Sequence, residues 1–262
     1  MPIGAAKLPR PVAVAVAVKV VVLTLFPAVG EPGWKDWLTP STLTQGLTRL
    51  SLFMEGSMPV KKTAIVTGAS GGIGSGLVEG LMKEGYNVVA TALHATQSLT
   101  RSPNLVLVDG DIGNQETAVR AVEAGIEQFA TIDALVNNAG IYRTKPFLDF
   151  TTEDFNALAS TNLLGFLYIT QLTVNQMLKQ RCGSVVTISA SLADQPIAGI
   201  NASVSMMTKG ALNSVTRSLA IEYAKEGIRF NAVAPGVVAT ALHHDNPADE
   251  AWRSPMGKVE EV

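Results

Sequence analysis

The chain has 262 residues, 47% of them apolar and 16% charged, which is enough for one large buried core. A net charge of −2 supplies no basic field to hold nucleic acid or an anionic membrane, and suits a small-molecule enzyme. The one cysteine, Cys182, excludes an intrachain disulfide and fits the cytoplasm, and the three histidines lack metal-ligand spacing, so no metal is expected.

The first 57 residues differ in character from the rest. Pro2, Pro9, Pro11, Pro27, Pro32 and Pro40 punctuate them, and Val12 to Phe26 is a valine–alanine run with Lys19 in its middle. That run is shorter than the roughly 20 apolar residues of a membrane-spanning helix. Its length fits a signal-peptide core, with Lys7 and Arg10 ahead and Ala28 and Gly30 behind, but a charge at Lys19 is costly there. The period-2 alternation also suits a strand or a disordered tail. Met58-Pro59-Val60-Lys61-Lys62 leads straight into an apolar run, as a natural start would. The expected division is an extension over 1–57, disordered or not native, followed by one domain over 58–262.

From Thr63 onward short apolar runs alternate with helical segments. The runs are Ala64–Thr67, Val88–Thr91, Leu105–Val108, Ala134–Val136, Ser184–Ile188 and Ile228–Val233. Strands apolar on both faces and separated by helices predict a parallel sheet covered on both sides. The first run ends in Thr67-Gly68-Ala69-Ser70-Gly71-Gly72-Ile73-Gly74, and Ile73, Leu77 and Leu81 then recur at helical spacing up to the terminating Gly85. Strand, glycine turn and helix are what a pyrophosphate site needs: amides free of side chains and the positive end of a helix dipole. Gly68, Ser70, Gly72, Ile73 and Gly74 are therefore the expected phosphate-binding residues. About 20 residues on, where an acid would bind the adenosine 2′-hydroxyl of NAD, the chain reads Ala90-Thr91-Ala92-Leu93-His94. The missing acid leans the cofactor toward NADP over NAD, with His94 a soft phosphate contact.

Taken together these residues resemble the short-chain dehydrogenase/reductase family, over Lys61 to about Thr240. Thr67 to Gly74 fits the family's TGxxxGxG. Asp111-Ile112 fits the acid and neighbour that meet the adenine ring, and Asn137-Asn138-Ala139-Gly140 fits the NNAG motif that supports the sheet and touches the adenosine ribose. Asn162 fits the helix asparagine that supports a catalytic water. Pro235-Gly236-Val237-Val238-Ala239-Thr240 fits the PGxxxT segment beside the nicotinamide. The resemblance implies a Rossmann-like, doubly wound α/β fold, with Asn138, Ala139, Gly140, Pro235, Gly236 and Thr240 among the cofactor contacts.

It also implies catalysis by Ser, Tyr and Lys, assisted by Asn. The serine orients the substrate oxygen, the tyrosine passes a proton, and the lysine lowers the tyrosine pKa and holds the nicotinamide ribose. Ser189 and Ser191 both follow the fifth strand, and the spacing favours Ser191. Lys209 fits the lysine. The tyrosine position, four residues before Lys209, is Ser205, which is less acidic and shorter than a phenol. Three readings follow: lost activity with retained dinucleotide binding, water relaying protons from Lys209, or another tyrosine, Tyr142 being nearest along the chain. Restoring a tyrosine at position 205 is expected to raise turnover with a generic ketone.

The chain stops at Val262, before the last strand and glycine-rich tail that family members carry. A missing seventh strand would leave Ile228–Val233 as an edge. Helices around Thr151–Lys179 and Ser203–Ala224 correspond to the family's dimer-forming pair, and their surplus apolar positions imply a homodimer. The functional expectation is an NAD(P)-dependent reductase or dehydrogenase acting on a small carbonyl or alcohol, with no nucleic-acid or membrane partner. The alternative is a dinucleotide-binding sensor or partner subunit with little chemistry.

Overall fold

The computed structural model describes residues 61–236 and Val238. The expected extension over 1–57, Thr240 and the expected loss of a seventh strand all lie outside the described residues.

Each apolar run forms a strand, extended by at most a residue at either end. They are β1 (Thr63–Thr67), β2 (Asn87–Ala92), β3 (Leu105–Asp109), β4 (Ala134–Asn137), β5 (Gly183–Ile188) and β6 (Ile228–Val233). All pair in parallel, in the order β3-β2-β1-β4-β5-β6. Because successive strand residues face opposite sides, each run feeds two cores. Ala64, Val66, Val88, Ala90, Leu105 and Leu107 face one side, where they meet Leu77 and Leu81. Those leucines belong to α1 (Gly72–Lys83); the short α2 (Ala95–Ser98) adds Ala95 to the same layer. Ile65, Val89, Leu135 and Val185 face the other side, against Ala118 and Ala121 of α3 (Gln115–Phe129).

The helix expected over Thr151–Lys179 is continuous but not uniform. It comprises α4 (Thr152–Ala159), a π-helical turn at Ser160–Leu164 and α5 (Gly165–Gln180), which adds Ile169 and Met177 to the second core. This run has the length and apolarity of a membrane span, yet much of its apolar surface is buried within the fold, as in a core helix. The last helix, α6 (Ser203–Glu222), leads into β6.

The order reverses between β1 and β4, and this gap at the carboxyl ends of the strands is where a doubly wound sheet binds its ligand. The glycine turn follows β1 and the NNAG segment runs out of the end of β4 from Asn137, so the two motifs flank the crevice.

Candidate active site

The glycine turn is built for close approach. Gly68 has φ +65°, and a Cβ there would lie 2.8 Å from the Ala139 Cα. A Cβ on Gly74 would lie 2.0 Å from the Gly68 carbonyl oxygen, so only glycine lets α1 start this near the strand. Asn138 fixes the turn from the far side of the crevice. Its side-chain amide donates to the carbonyls of Thr67 (2.9 Å) and Gly68 (3.1 Å), while its backbone amide donates to the Thr67 hydroxyl (3.0 Å). The turn's carbonyls are thus held inward.

No side chain caps α1, whose N-cap is Gly71, so its first amides keep their hydrogen-bonding capacity. A Cβ on exposed Gly71 would meet nothing within 4 Å, which leaves the space in front of those amides open. Uncapped amides, the positive end of a 12-residue helix and open space beside the switch point fit a dinucleotide pyrophosphate. Ser70 lies exposed in the turn, and Ile73 is half-buried against the core of α1.

Beyond β3, Asp111 is exposed and accepts a hydrogen bond from the Gly113 amide (2.8 Å). Ile112 is buried; a Cβ added to Gly165 on α5 would come within 2.8 Å of its side chain. Asp111 therefore stands at the rim and Ile112 anchors the loop.

At the other end, Lys209 reaches back from α6 and donates to the Ile188 carbonyl at the end of β5 (2.8 Å). Burial lowers its pKa to about 8, because desolvation penalises the ammonium form. Gly140 is the close neighbour: a Cβ there would sit 3.2 Å from both the Lys209 Nζ and the Asn162 Oδ1. Asn162 lies at the centre of the π-helical turn and is 2% exposed. It accepts from the Ile141 amide (2.8 Å) and donates to the Ile141 carbonyl (3.0 Å) and the Thr208 hydroxyl (2.9 Å).

The two serines after β5 take different parts. Ser189 is buried, and its hydroxyl donates to the Lys209 carbonyl (3.2 Å), which ties the strand end to α6. Ser191 is half-buried at the start of a 3₁₀ turn; its amide donates to the Pro235 carbonyl (3.0 Å), joining this loop to the Pro235-Gly236 segment. The Ser191 hydroxyl has no protein partner among the described residues.

Ser205, at the position four residues before Lys209, is tied to the main chain. It is 1% exposed, and its hydroxyl accepts from the Arg143 amide (2.9 Å) and donates to the Arg143 carbonyl (2.8 Å). Its single proton is committed to the main chain of the segment after NNAG. A buried hydroxyl bonded on both sides holds structure.

A family model described as short chain dehydrogenase matches residues 62–251. The chain belongs to the short-chain dehydrogenase family. It is an NAD(P)-dependent oxidoreductase of that family. Oxidoreductase UcpA of Salmonella typhimurium is 33% identical over 210 residues, covering 76% of this chain and 80% of that protein. Among solved structures, the 3-ketoacyl-(acyl-carrier-protein) reductase of Brucella melitensis complexed with NADH is 29% identical with a TM-score of 0.65, covering 69% of this chain and 78% of the other. ElxO with NADP bound is 28% identical with a TM-score of 0.64, covering 69% and 75%.

The dehydrogenase also holds its site with residues that motif reading passed over. Arg143 and Lys145 both pair with the buried carboxylate of Asp154, Lys145 at 2.6 Å. Asp154 is the third residue of α4 and completes a capping box with Thr151. The Lys145 ammonium, the Thr151 amide and the Arg143 guanidinium hold its carboxyl far below the usual carboxylate range. The Thr151-x-x-Asp154 spacing is a readable cap signal. Its two cations were not readable, because nothing in the sequence points from Arg143 or Lys145 to that carboxylate.

Proposed function

We propose that this dehydrogenase transfers hydride between a nicotinamide dinucleotide and a small carbonyl or alcohol, with Lys209 rather than a phenol as the proton source. The observation that carries this is the pairing of a desolvated ammonium at Lys209 with a Ser205 hydroxyl engaged elsewhere. When bound, the dinucleotide supplies or accepts the hydride at the reacting carbon. Ser191 orients the substrate oxygen. Lys209 stabilises negative charge developing on that oxygen and protonates it through a water in the space a phenol would fill. The resulting amine regains its proton from solvent. Asn162, bonded to Ile141 and Thr208, keeps the Lys209 turn of α6 in register with the NNAG segment.

Under this scheme the ammonium is depleted above about pH 8, so carbonyl reduction falls as pH rises through that value. Absorbance at the reduced-nicotinamide band with a panel of ketones, from pH 6 to 10, tests it. Turnover that falls above pH 8 and vanishes in Lys209→Met supports the reading; turnover independent of Lys209 overturns it.

The engaged Ser205 also supports a second reading, a dinucleotide-binding protein with little chemistry. Tight binding with no turnover on any ketone or alcohol would favour it.

A homodimer is the assembly we propose. Phe155, Leu164 and Leu167 on the α4–α5 run, with Met207 and Ile221 on α6, expose large apolar side chains on the two helices expected to pair. The exposed free thiol of Cys182 suits a reducing compartment, which supports placing the protein in the cytoplasm.

A further inference from the structure

The lean toward NADP rests on the missing acid at the end of β2. A carboxylate does reach that place, from the neighbouring strand. Asp109 ends β3 and is the register partner of Ala92 at the end of β2, one interstrand spacing away, roughly 4.8 Å. Leu105 and Leu107 face the α1–α2 layer, so Asp109 continues their face. There its carboxylate accepts from the Thr96 amide (2.8 Å) and from the Thr96 hydroxyl. The end of β2 is also bound to the glycine turn, through the Ala69 amide and the Thr91 carbonyl (3.1 Å). The adenosine 2′ position belongs between these elements.

We propose that Asp109, held by Thr96, makes this dehydrogenase prefer NAD over NADP by fixing a negative charge beside the adenosine 2′ position. The proposal rests on the dinucleotide reading above and deepens it. The Thr96 hydroxyl and amide, the Ala95 amide and the nearby His94 keep the Asp109 carboxyl below its usual pKa, so it is ionised at neutral pH. By taking the Thr96 amide it also occupies a donor that a 2′-phosphate would otherwise seek. Arg120 is the opposing charge. It rises from α3 on the other face of the sheet and donates to the Asp109 main-chain carbonyl (2.8 Å), so it leaves the carboxylate charge in place. Near water, a carboxylate beside a doubly charged phosphate repels it enough to weaken binding by roughly tenfold.

The test is titration of the full chain with NADH and with NADPH by fluorescence, at low and high salt, in the native protein and in Asp109→Asn. Asparagine keeps an acceptor for Thr96. The native protein is expected to bind NADH about tenfold tighter. The variant should bind NADPH about tenfold better, with NADH affinity within twofold. Raising salt from 0.02 to about 0.5 M should narrow the native preference, because screening shortens the reach of the charge, and should leave the variant unmoved. Equal or tighter NADPH binding by the native protein overturns the proposal, as does a native preference that salt leaves unchanged. A native protein that binds neither nucleotide refutes the dinucleotide reading instead.

Discussion

Ser205→Ala removes one oxygen and, by the geometry, two hydrogen bonds. The hydroxyl accepts from the Arg143 amide and donates to the Arg143 carbonyl, both under 3.0 Å, from a residue that is 1% exposed. Truncation leaves an N–H and a C=O without their partner, at about 1–3 kcal/mol for each buried group. Arg143 is half-buried, so water can recover part of that, and about 2–3 kcal/mol is the expected loss. In a domain of this size each kcal/mol moves Tm by roughly 2–4 °C, so the variant should melt about 5–10 °C lower. Dinucleotide affinity should stay within twofold, because Asn138, not Ser205, holds the glycine turn. Thermal melts with and without dinucleotide supply the numbers. A Tm within about 2 °C of the native protein would refute the reasoning and return Ser205 to the set of free hydroxyls. Ser205→Tyr sharpens the contrast. It restores a phenol one turn before Lys209 and loses both Arg143 bonds, so ketone turnover should rise by roughly 10²-fold or more while Tm falls as in the alanine variant.

The remaining predictions concern charge and close packing. Lys209→Met should abolish turnover yet raise stability at neutral pH. The native lysine has its pKa lowered from 10.5 to about 8 by burial, so the folded state resists the charge that the unfolded chain accepts. That penalty is fully present below about pH 8 and gone above about 10.5, so the melting difference between the two proteins should shrink across that window. Gly74→Ala puts a carbon 2.0 Å from the Gly68 carbonyl and 2.7 Å from the Asn138 amide, both fixed, so it should cost about 1–3 kcal/mol and weaken dinucleotide binding at least tenfold by titration. Asp154→Asn keeps an acceptor for the α4 cap but leaves Arg143 and Lys145 without their counter-charge. The native carboxylate has a depressed pKa, so its contribution is present above the ordinary carboxylate range and lost as pH falls below it. Melts should therefore show a variant less stable at pH 7 and less sensitive to acid.

Strands were legible because this sheet is buried on both faces: a run such as Ala64-Ile65-Val66 must be apolar throughout when its alternate residues feed different cores. The glycine turn was legible because its chemistry is local, and Gly68 and Gly74 are forced by atoms of the same turn or of the NNAG segment. Long-range polar contacts were not. Ser205 and Arg143 are 62 residues apart, so sequence spacing could not show what the serine does there. Asp109 was passed over for the same reason. The search for a ribose acid followed the end of β2, whereas the carboxylate at that place comes from the adjacent strand and is aimed by Thr96. The π-helical turn at Ser160–Leu164 has no signature in hydrophobic period, since five residues of it fit a long helix equally well.

These contacts converge on the stretch that walls the crevice after NNAG. Ile141 gives its amide and carbonyl to Asn162, Arg143 gives both to Ser205, and the Lys145 amide donates to the Asn201 carbonyl (2.9 Å). Every second residue is bonded on the same side, as along a strand with a neighbour, except that here two side chains from the α4–α6 layer supply most of the rungs. Asn162 and Ser205 are further joined by Thr208, whose hydroxyl accepts from Asn162 and donates to the Ser205 carbonyl (2.7 Å). The wall and the Lys209 turn of α6 are therefore one hydrogen-bonded unit, and Ser205 is its middle rung. A residue without that role would have no reason to match both the donor and the acceptor of a backbone 62 positions away. The serine at this position is explained by the wall it holds.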